Sequence, residues 1–237
     1  NYGDKYILGV GQLMAKKMDT RPEHRVIMGD IAYNYLYYLP LAEKLFKSTL
    51  EDASYDHPKL QITEATRNKN STKLIAISSD TTFEPAFQLM AIAAIENLSA
   101  LPLAEIKKRY EDLLVYNPDE VSIFTDYADY LMKNKLFDEA ADVMKKWLKF
   151  HDESYGLDRV VGVTAIARAY YKGGKYQDAW NEVKTVVSSY QAGAMERGAL
   201  SLNKLNKESE AIELMKACID RYPDSYRVMA TLSRIYW

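Results

Sequence analysis

The sequence contains a single cysteine, Cys218, and no apolar run that approaches the length of a membrane span. One cysteine excludes an internal disulfide and any zinc site built from several cysteines. Because a helix needs roughly 18 apolar residues to cross a bilayer, the chain is predicted to be a soluble segment without direct membrane insertion. It begins at Asn1 with no initiator methionine or signal-like stretch, so a processed product or a piece of a larger, even membrane-anchored, chain is expected.

An excess of positive charge is also missing. Lys and Arg together number 31 against 33 Asp and Glu, which gives a net charge of -2. A general nucleic-acid binder needs a basic excess because it must neutralise phosphates, so nucleic acid is not predicted as a partner. Hydrophobic residues make up 48% of the 237 positions, enough to bury a substantial core.

Residues suited to catalysis or metal binding are scarce. The histidines His24, His57 and His151 lie far apart and show no ligand-like spacing such as His-x-x-x-His. No catalytic constellation can be assembled, so the chain is predicted not to be an enzyme and to carry no cofactor and no metal. An enzyme stays open only if the first 80 residues hold a site that the sequence does not reveal.

The stretch YYKGGKYQDAW (170–180) has two adjacent glycines before a lysine. A phosphate-binding loop instead needs four residues between its glycines, and its Lys is followed by Ser or Thr. Since glycine can take the left-handed conformation that ends a helix, Gly173 and Gly174 are predicted to reverse the chain between two helices.

Small residues recur at a helical-repeat spacing. From about Phe83 onward, apolar residues repeat every three or four positions, the pattern of amphipathic helices. Five small residues follow one another at spacings of 34, 39, 32 and 34: Ala94, Ala128, Ala167, Ala199 and Ser233. Twelve residues after each of the middle three stands another alanine: Ala140, Ala179 and Ala211. Two antiparallel helices approach closely only where each carries a small residue at the crossing point, so these alanine pairs predict where helices cross.

This pattern resembles the tetratricopeptide repeat family. Five residues of the segment 160–191 fall on its pattern: Ile166, Ala167, Tyr170, Tyr176 and Ala179. Weaker copies span 87–120, 121–154 and 192–225, with a partial copy at 226–237. Trp147 departs from the family because it stands where a small residue is usual, and Cys218 falls on a small, buried position. The resemblance implies an all-α, right-handed superhelical solenoid of antiparallel helix pairs.

The N-terminal third follows this pattern less clearly. Residues 25–52 indicate two helices with a break near Pro40, and the cluster YNYLYY (33–38) either packs or forms an aromatic contact surface. The segment 59–78 alternates apolar and polar residues around Arg-Asn-Lys-Asn-Ser, which indicates a β-hairpin or an extended insertion; a helical interpretation stays open. The predicted organisation is an N-terminal helical region or degenerate repeat (1–58), an insertion or linker (59–82) and the repeat array (83–237).

The resemblance also implies a function, which is to bind a partner protein or peptide in a concave groove formed by the first helices of successive repeats. Its fixed groove positions fall on the following residues: Ala91, Ile95, Thr125, Asp129, Met132, Lys133, Thr164, Arg168, Tyr171, Lys172, Glu196, Leu200, Asn203, Lys204, Arg227, Ala230 and Arg234. The charged members are six basic and two acidic. An acidic or carboxylate-bearing peptide is the predicted partner, and solvated charges without a partner are the alternative.

The last segment, 226–237, is predicted to be a first helix without its second. Such a helix leaves Met229, Leu232 and Trp237 uncovered. Two alternatives therefore stay open. The repeats are a regulatory or docking domain cut from a larger enzyme or membrane-anchored assembly, or the chain associates with itself through this end.

Overall fold

The computed structural model describes residues 25, 27–29, 44, 45, 47, 48, 58–150 and 156–237. Within these residues the regular structure is helical and no strand is present, so the predicted all-α class is confirmed. The eight described residues before position 58 are helical, as predicted for 25–52. The three histidines and the tyrosine cluster at 33–38 lie outside the described residues.

Eleven α-helices and one short 3-10 turn follow one another in the described ranges. The helices are α1 (Pro58–Arg67), α2 (Ser71–Ser79), α3 (Pro85–Asn97), α4 (Leu103–Tyr116), α5 (Val121–Lys133), α6 (Phe137–Phe150), α7 (Leu157–Lys172), α8 (Tyr176–Val183), α9 (Ala192–Lys204), α10 (Glu208–Arg221) and α11 (Tyr226–Tyr236), with the 3-10 turn at Val187–Ser189 between α8 and α9. Across the described residues, no helix combines the length and the apolar character needed to cross a bilayer.

The chain divides into two compact units, Asn1–Ile106 and Lys107–Trp237. In the first unit, α1, α2 and α3 pack against one another. In the second unit, α5 to α11 form a stack in which each helix packs against the next. The first helices of the pairs also contact each other in the order α5, α7, α9 and α11, which confirms the solenoid of helix pairs. The array boundary predicted at residue 83 stays a prediction.

The predicted hairpin at 59–78 is wrong, because this segment forms the helices α1 and α2. Its polar centre ends one helix and begins the next. Lys69 takes a left-handed conformation (φ 53°), and the Asn70 N–H donates to the Ala65 carbonyl at 2.7 Å. The Asn70 side chain then accepts from the Lys73 N–H at 3.0 Å and caps α2. Asn and Lys occur both in hairpin turns and in turns between two helices, so the residue types alone did not distinguish the predicted hairpin from the helix pair.

The same helix-ending motif closes α1, α3, α5, α7 and α9. In each, one residue is left-handed, and the N–H of the residue after it bonds to the carbonyl five positions back at 2.7 to 3.1 Å. This is the Schellman arrangement. The left-handed residues are Lys69, Ser99, Lys135, Gly174 and Asn206. The interpretation of Gly173-Gly174 as a helix-ending turn is therefore confirmed, and the lysine that follows, Lys175, binds the Asp138 carboxylate at 2.6 Å.

Small residues lie where the helices of the second unit cross. The three predicted alanine pairs are at most 2% exposed: Ala128 with Ala140, Ala167 with Ala179, and Ala199 with Ala211. Cys218 is buried and free, as predicted for a packed thiol, and burial raises its pKa. Small buried residues at these positions allow the two helices of each pair to approach closely.

Trp147, the bulky departure from the repeat pattern, is 1% exposed on α6. The facing helix α7 makes room for it with Gly162. A Cβ built at Gly162 would lie 2.6 Å from Cδ2 of Leu148 and 2.8 Å from Cζ3 of Trp147. A large residue on one helix is thus matched by the absence of a side chain on the other.

Candidate partner-binding groove

The candidate groove residues of the second unit lie on α5, α7, α9 and α11, the first helices that pack side by side. The exposed ones are Asp129, Lys133, Lys172, Lys204, Arg227, Ala230 and Arg234. The partly buried ones are Thr125, Thr164, Arg168, Tyr171, Leu200 and Asn203. Three expected groove positions are at most 4% exposed, so they belong to the core and not to an open surface: Ala91, Ile95 and Met132.

An ion pair connects α5 with α7. A guanidinium nitrogen of Arg168 lies 2.9 Å from a carboxylate oxygen of Asp129, with the side chains 39% and 54% exposed. Because both groups face solvent, the pair is worth about 0–1 kcal/mol. It nevertheless removes most of the net charge that either residue would show to a partner.

A second ion pair connects α9 with α11 and has a different character. Nε of Arg227 donates to Oε2 of Glu196 at 2.8 Å, and a terminal nitrogen of the same guanidinium contacts the same oxygen. The Glu196 side chain is only 7% exposed, whereas that of Arg227 is 67% exposed. Its other oxygen, Oε1, is buried without a hydrogen-bond partner among the described residues. Glu196 is therefore an interior carboxylate that Arg227 covers.

Between these two pairs lies Arg197, a residue that the groove positions of the repeat family do not include. Its Cζ stands 4.9 Å from the centre of the Tyr171 ring, a cation–π contact that connects α7 with α9. Burial lowers the pKa of Arg197; Tyr171 and Glu196 oppose this shift, whereas Arg168 and Arg227 add to it. The guanidinium stays protonated at neutral pH, so a third arginine adds its charge to this surface.

No pattern in the sequence indicates a role for Arg197. Tyr171 and Arg197 lie in different repeats, and their contact depends on how α7 and α9 pack. The ring of Tyr171 also meets that of Tyr176 at 5.3 Å with a 60° tilt, so its position is fixed from two sides. Each neighbouring pair of first helices from α5 to α11 thus has one polar link across it.

The remaining cations define the charge that a ligand would meet. Lys172, Lys204 and Arg234 are exposed and form no ion pair with another described residue. Both acidic groove residues, in contrast, are engaged with arginines. The described residues hold no group of three or more His, Cys, Asp or Glu side chains that could bind a metal. The chemistry present suits electrostatic attraction of carboxylates.

The chain is similar to a solved structure, the crystal structure of the yeast Tom70, with 9% sequence identity and a TM-score of 0.49. The similarity covers 98% of this chain and 58% of that one, so the chain spans less than two thirds of the length of its structural neighbour. No protein-family model matches the chain, and no curated protein matches it.

Proposed function

We propose that this chain is a non-catalytic scaffold or adaptor that binds a partner protein or peptide along the row of first helices. The partner carries acidic or carboxylate groups, which lie near Arg168, Tyr171, Lys172, Arg227 and Arg234. One observation carries the proposal: both acidic groove residues are engaged in ion pairs, so the unpaired charge on this face is positive. The resemblance to tetratricopeptide repeats supports a groove of this kind.

The lysines are the groups best suited to meet the ligand first. Lys172 on α7 and Lys204 on α9 are exposed at the ends of adjacent first helices. An exposed ammonium can exchange its water for a carboxylate at little cost, whereas Arg168 and Arg227 would first have to leave Asp129 and Glu196. Attraction of this kind weakens with added salt.

The test uses a fluorescein-labelled oligoglutamate peptide and fluorescence anisotropy. The variant carrying Lys172→Glu and Lys204→Glu should bind this peptide about tenfold or more weakly. The matched control carries Lys184→Glu and Lys216→Glu, which make the same change of charge at exposed positions outside the groove. An equal loss in both variants, or no loss in the first while its helical circular dichroism is intact, would remove the groove assignment.

Arg168 is a poorer choice for this test. Its reversal to Glu would place two carboxylates together at a position where Asp129 now has a partner, and the repulsion would also affect folding. A swap, Asp129→Arg with Arg168→Asp, keeps the pair and the net charge. Unchanged peptide binding in the swap, beside lost binding in the Lys172 and Lys204 variant, would separate recognition from helix pairing.

We also propose self-association through α11. The exposed aromatic and apolar side chains of this helix are Tyr226 at 86%, Met229 at 47% and Tyr236 at 54%. Apolar area of this kind favours association because its burial removes it from water. Size-exclusion chromatography with light scattering over a range of concentrations tests this, and a monomer at every concentration contradicts it.

A further inference from the structure

Two large side chains at the end of α4 stand in solvent, since Val115 is 73% and Tyr116 is 71% exposed. Single exposed apolar residues are common, but adjacent ones at the edge of a cleft mark a contact surface more often. A second connection in the same chain, from α10 to α11, shows whether the fold requires apolar residues at these two positions.

The connection from α10 to α11 is built like the connection from α4 to α5. Both helices before it have 14 residues. Both are followed by four residues with proline second and aspartate third, Asn-Pro-Asp-Glu in one and Tyr-Pro-Asp-Ser in the other. The fourth residue caps the next helix in each case: Glu120 accepts from the Ser122 N–H, and Ser225 accepts from the Val228 N–H. The two turns can therefore be compared position by position.

At the positions of Val115 and Tyr116, the other turn carries Asp220 and Arg221, and both are exposed. The repeat thus forms the same helix end and the same cap with charged residues that water solvates well. Packing within the repeat does not explain the apolar residues of the α4 turn. A ligand that covers them would explain them.

Val115 lies at the edge of a cleft of about 510 Å³ within the second unit. The lining residues are Glu111, Leu114, Val115, Pro118, Phe124, Lys146 and Lys149. Phe124 is 3% exposed, so the cleft reaches down to the hydrophobic core. Its volume falls within the roughly 300–1,000 Å³ of sites that hold a ligand group.

Charge at the rim of this cleft identifies the kind of ligand. Lys146 and Lys149 are exposed on α6 and form no ion pair with another described residue. Among the described lining residues the one acidic side chain is Glu111, which already accepts the Tyr127 hydroxyl at 2.9 Å. The cleft has apolar side chains at its base and two lysines at its rim. It therefore complements a ligand that carries an apolar side chain with a negative charge nearby.

We propose that this cleft docks a segment of a partner protein that inserts a large apolar side chain against Leu114, Val115 and Phe124. A carboxylate within one helical turn of that side chain pairs with Lys146 or Lys149. Apart from Phe124, the lining lies on α4, on the turn after it and on α6, whereas the groove residues lie on the first helices. The cleft is therefore a second interaction surface that does not depend on the groove.

The test selects peptides from a random peptide library displayed on phage with the chain that carries Lys172→Glu and Lys204→Glu, so that the groove does not enrich acidic peptides of its own. The affinities of the synthetic peptides are then measured by fluorescence anisotropy. The enriched peptides should carry a large apolar residue within four positions of Asp or Glu. Val115→Asp should reduce their affinity at least about tenfold, and so should Lys146→Glu combined with Lys149→Glu. The matched control with Lys184→Glu and Lys216→Glu, which make the same change of charge at exposed positions outside both the groove and the cleft, should bind them as the unaltered chain does.

Val115→Asp is expected to fold, because Asp220 occupies the equivalent exposed position in the α10 turn; an unchanged circular dichroism spectrum verifies this. Enriched peptides without acidic residues, binding that survives Val115→Asp, or the absence of any enriched peptide would each overturn the proposal. Sedimentation of the chain with phosphatidylglycerol vesicles that is lost in Val115→Asp would overturn it as well, since the occupant would then be a lipid surface.

Discussion

Replacing Gly162 with alanine adds one methyl group where α7 packs against Trp147 and Leu148 of α6. Helix propensity alone favours the change, because alanine stabilises a helix interior by about 1 kcal/mol relative to glycine. The structure predicts the opposite result. The new Cβ would lie 2.6 Å from Cδ2 of Leu148 and 2.8 Å from Cζ3 of Trp147, whereas carbon atoms pack at about 3.5–4.0 Å.

The size of the effect follows from how little room Trp147 has. Its side chain is 1% exposed, so the indole cannot swing into solvent, and α7 must move away by roughly 1 Å to restore normal contacts. Overpacking of a core by one carbon costs about 1–3 kcal/mol. After the gain in helix propensity is subtracted, Gly162→Ala should lower the free energy of unfolding by up to about 2 kcal/mol.

Urea unfolding followed by far-ultraviolet circular dichroism measures this difference. Leu148→Ala provides the control because it removes the two Leu148 atoms that lie nearest to the new methyl group. In that background, Gly162→Ala should lose the part of its cost that comes from Leu148 and keep the part that comes from Cζ3 of Trp147, and a double-mutant cycle measures the difference. If Gly162→Ala stabilised the chain by about 1 kcal/mol, as propensity alone predicts, the steric argument would be refuted.

Four further outcomes are expected. Gly174→Ala should cost about 1 kcal/mol because Gly174 has a φ of +79°, and Lys135→Gly at the equivalent turn should gain a similar amount; urea titrations of both variants measure this. Ala179→Leu should lower the free energy of unfolding by about 1–3 kcal/mol, because it overpacks a position that is 0% exposed. Lys175→Ala should barely change that free energy, and calorimetry with a nucleotide should give the same result for this variant as for the unaltered chain. Burial, followed by the hydrogen bond to Glu111, raises the pKa of Tyr127 above its ordinary value of 10. The stability from this shift is present below pH 10 and is lost as the pH rises further, so Tyr127→Phe should flatten the fall in unfolding free energy above pH 10. Arg227→Gln should cost about 1–3 kcal/mol because it leaves the buried Glu196 carboxylate without its cation, and a Glu196→Gln change in the same chain should restore part of the loss.

The solenoid could be predicted from the sequence because its determinants are local and repeated. Each crossing requires a small residue on both helices, and the alanine pairs recur at a nearly constant spacing, so one weak signal is confirmed several times over. The segment 59–78 failed because it offers a single copy. Its turn residues suit a hairpin and a helix end alike, and only the left-handed Lys69 with its five-back hydrogen bond distinguishes the two.

Trp147 shows why position-by-position comparison with a family misleads. Trp147 departs from the repeat pattern when its position is compared alone, because that pattern has a small residue on each of the two facing helices. The requirement applies to the pair, and Gly162 on the facing helix satisfies it. Trp147 and Gly162 are both present in the sequence, but no repeat spacing relates one position to the other. That the glycine compensates for the tryptophan follows only from the packing of α6 against α7.

The groove could be predicted less well than the fold, because its properties arise between repeats. Asp129 with Arg168, Tyr171 with Arg197, and Glu196 with Arg227 each join neighbouring first helices. A count of charges along the sequence treats all of these residues as available to a partner. In the folded chain they are already committed to one another.

This commitment determines which cations can recognise a ligand and which set the shape of the surface. For Arg227 to bind a partner carboxylate, it would have to leave Glu196, whose side chain is 7% exposed, and a buried carboxylate without a partner costs more than an exposed contact returns. Arg168 can exchange Asp129 at lower cost, because both are exposed, but gains little by doing so. Lys172 and Lys204 have no such partner among the described residues, so an incoming carboxylate adds an interaction there without breaking one. Arg168 and Arg227 therefore hold the first helices in place, while in the proposed groove the lysines at the helix ends would provide the attraction.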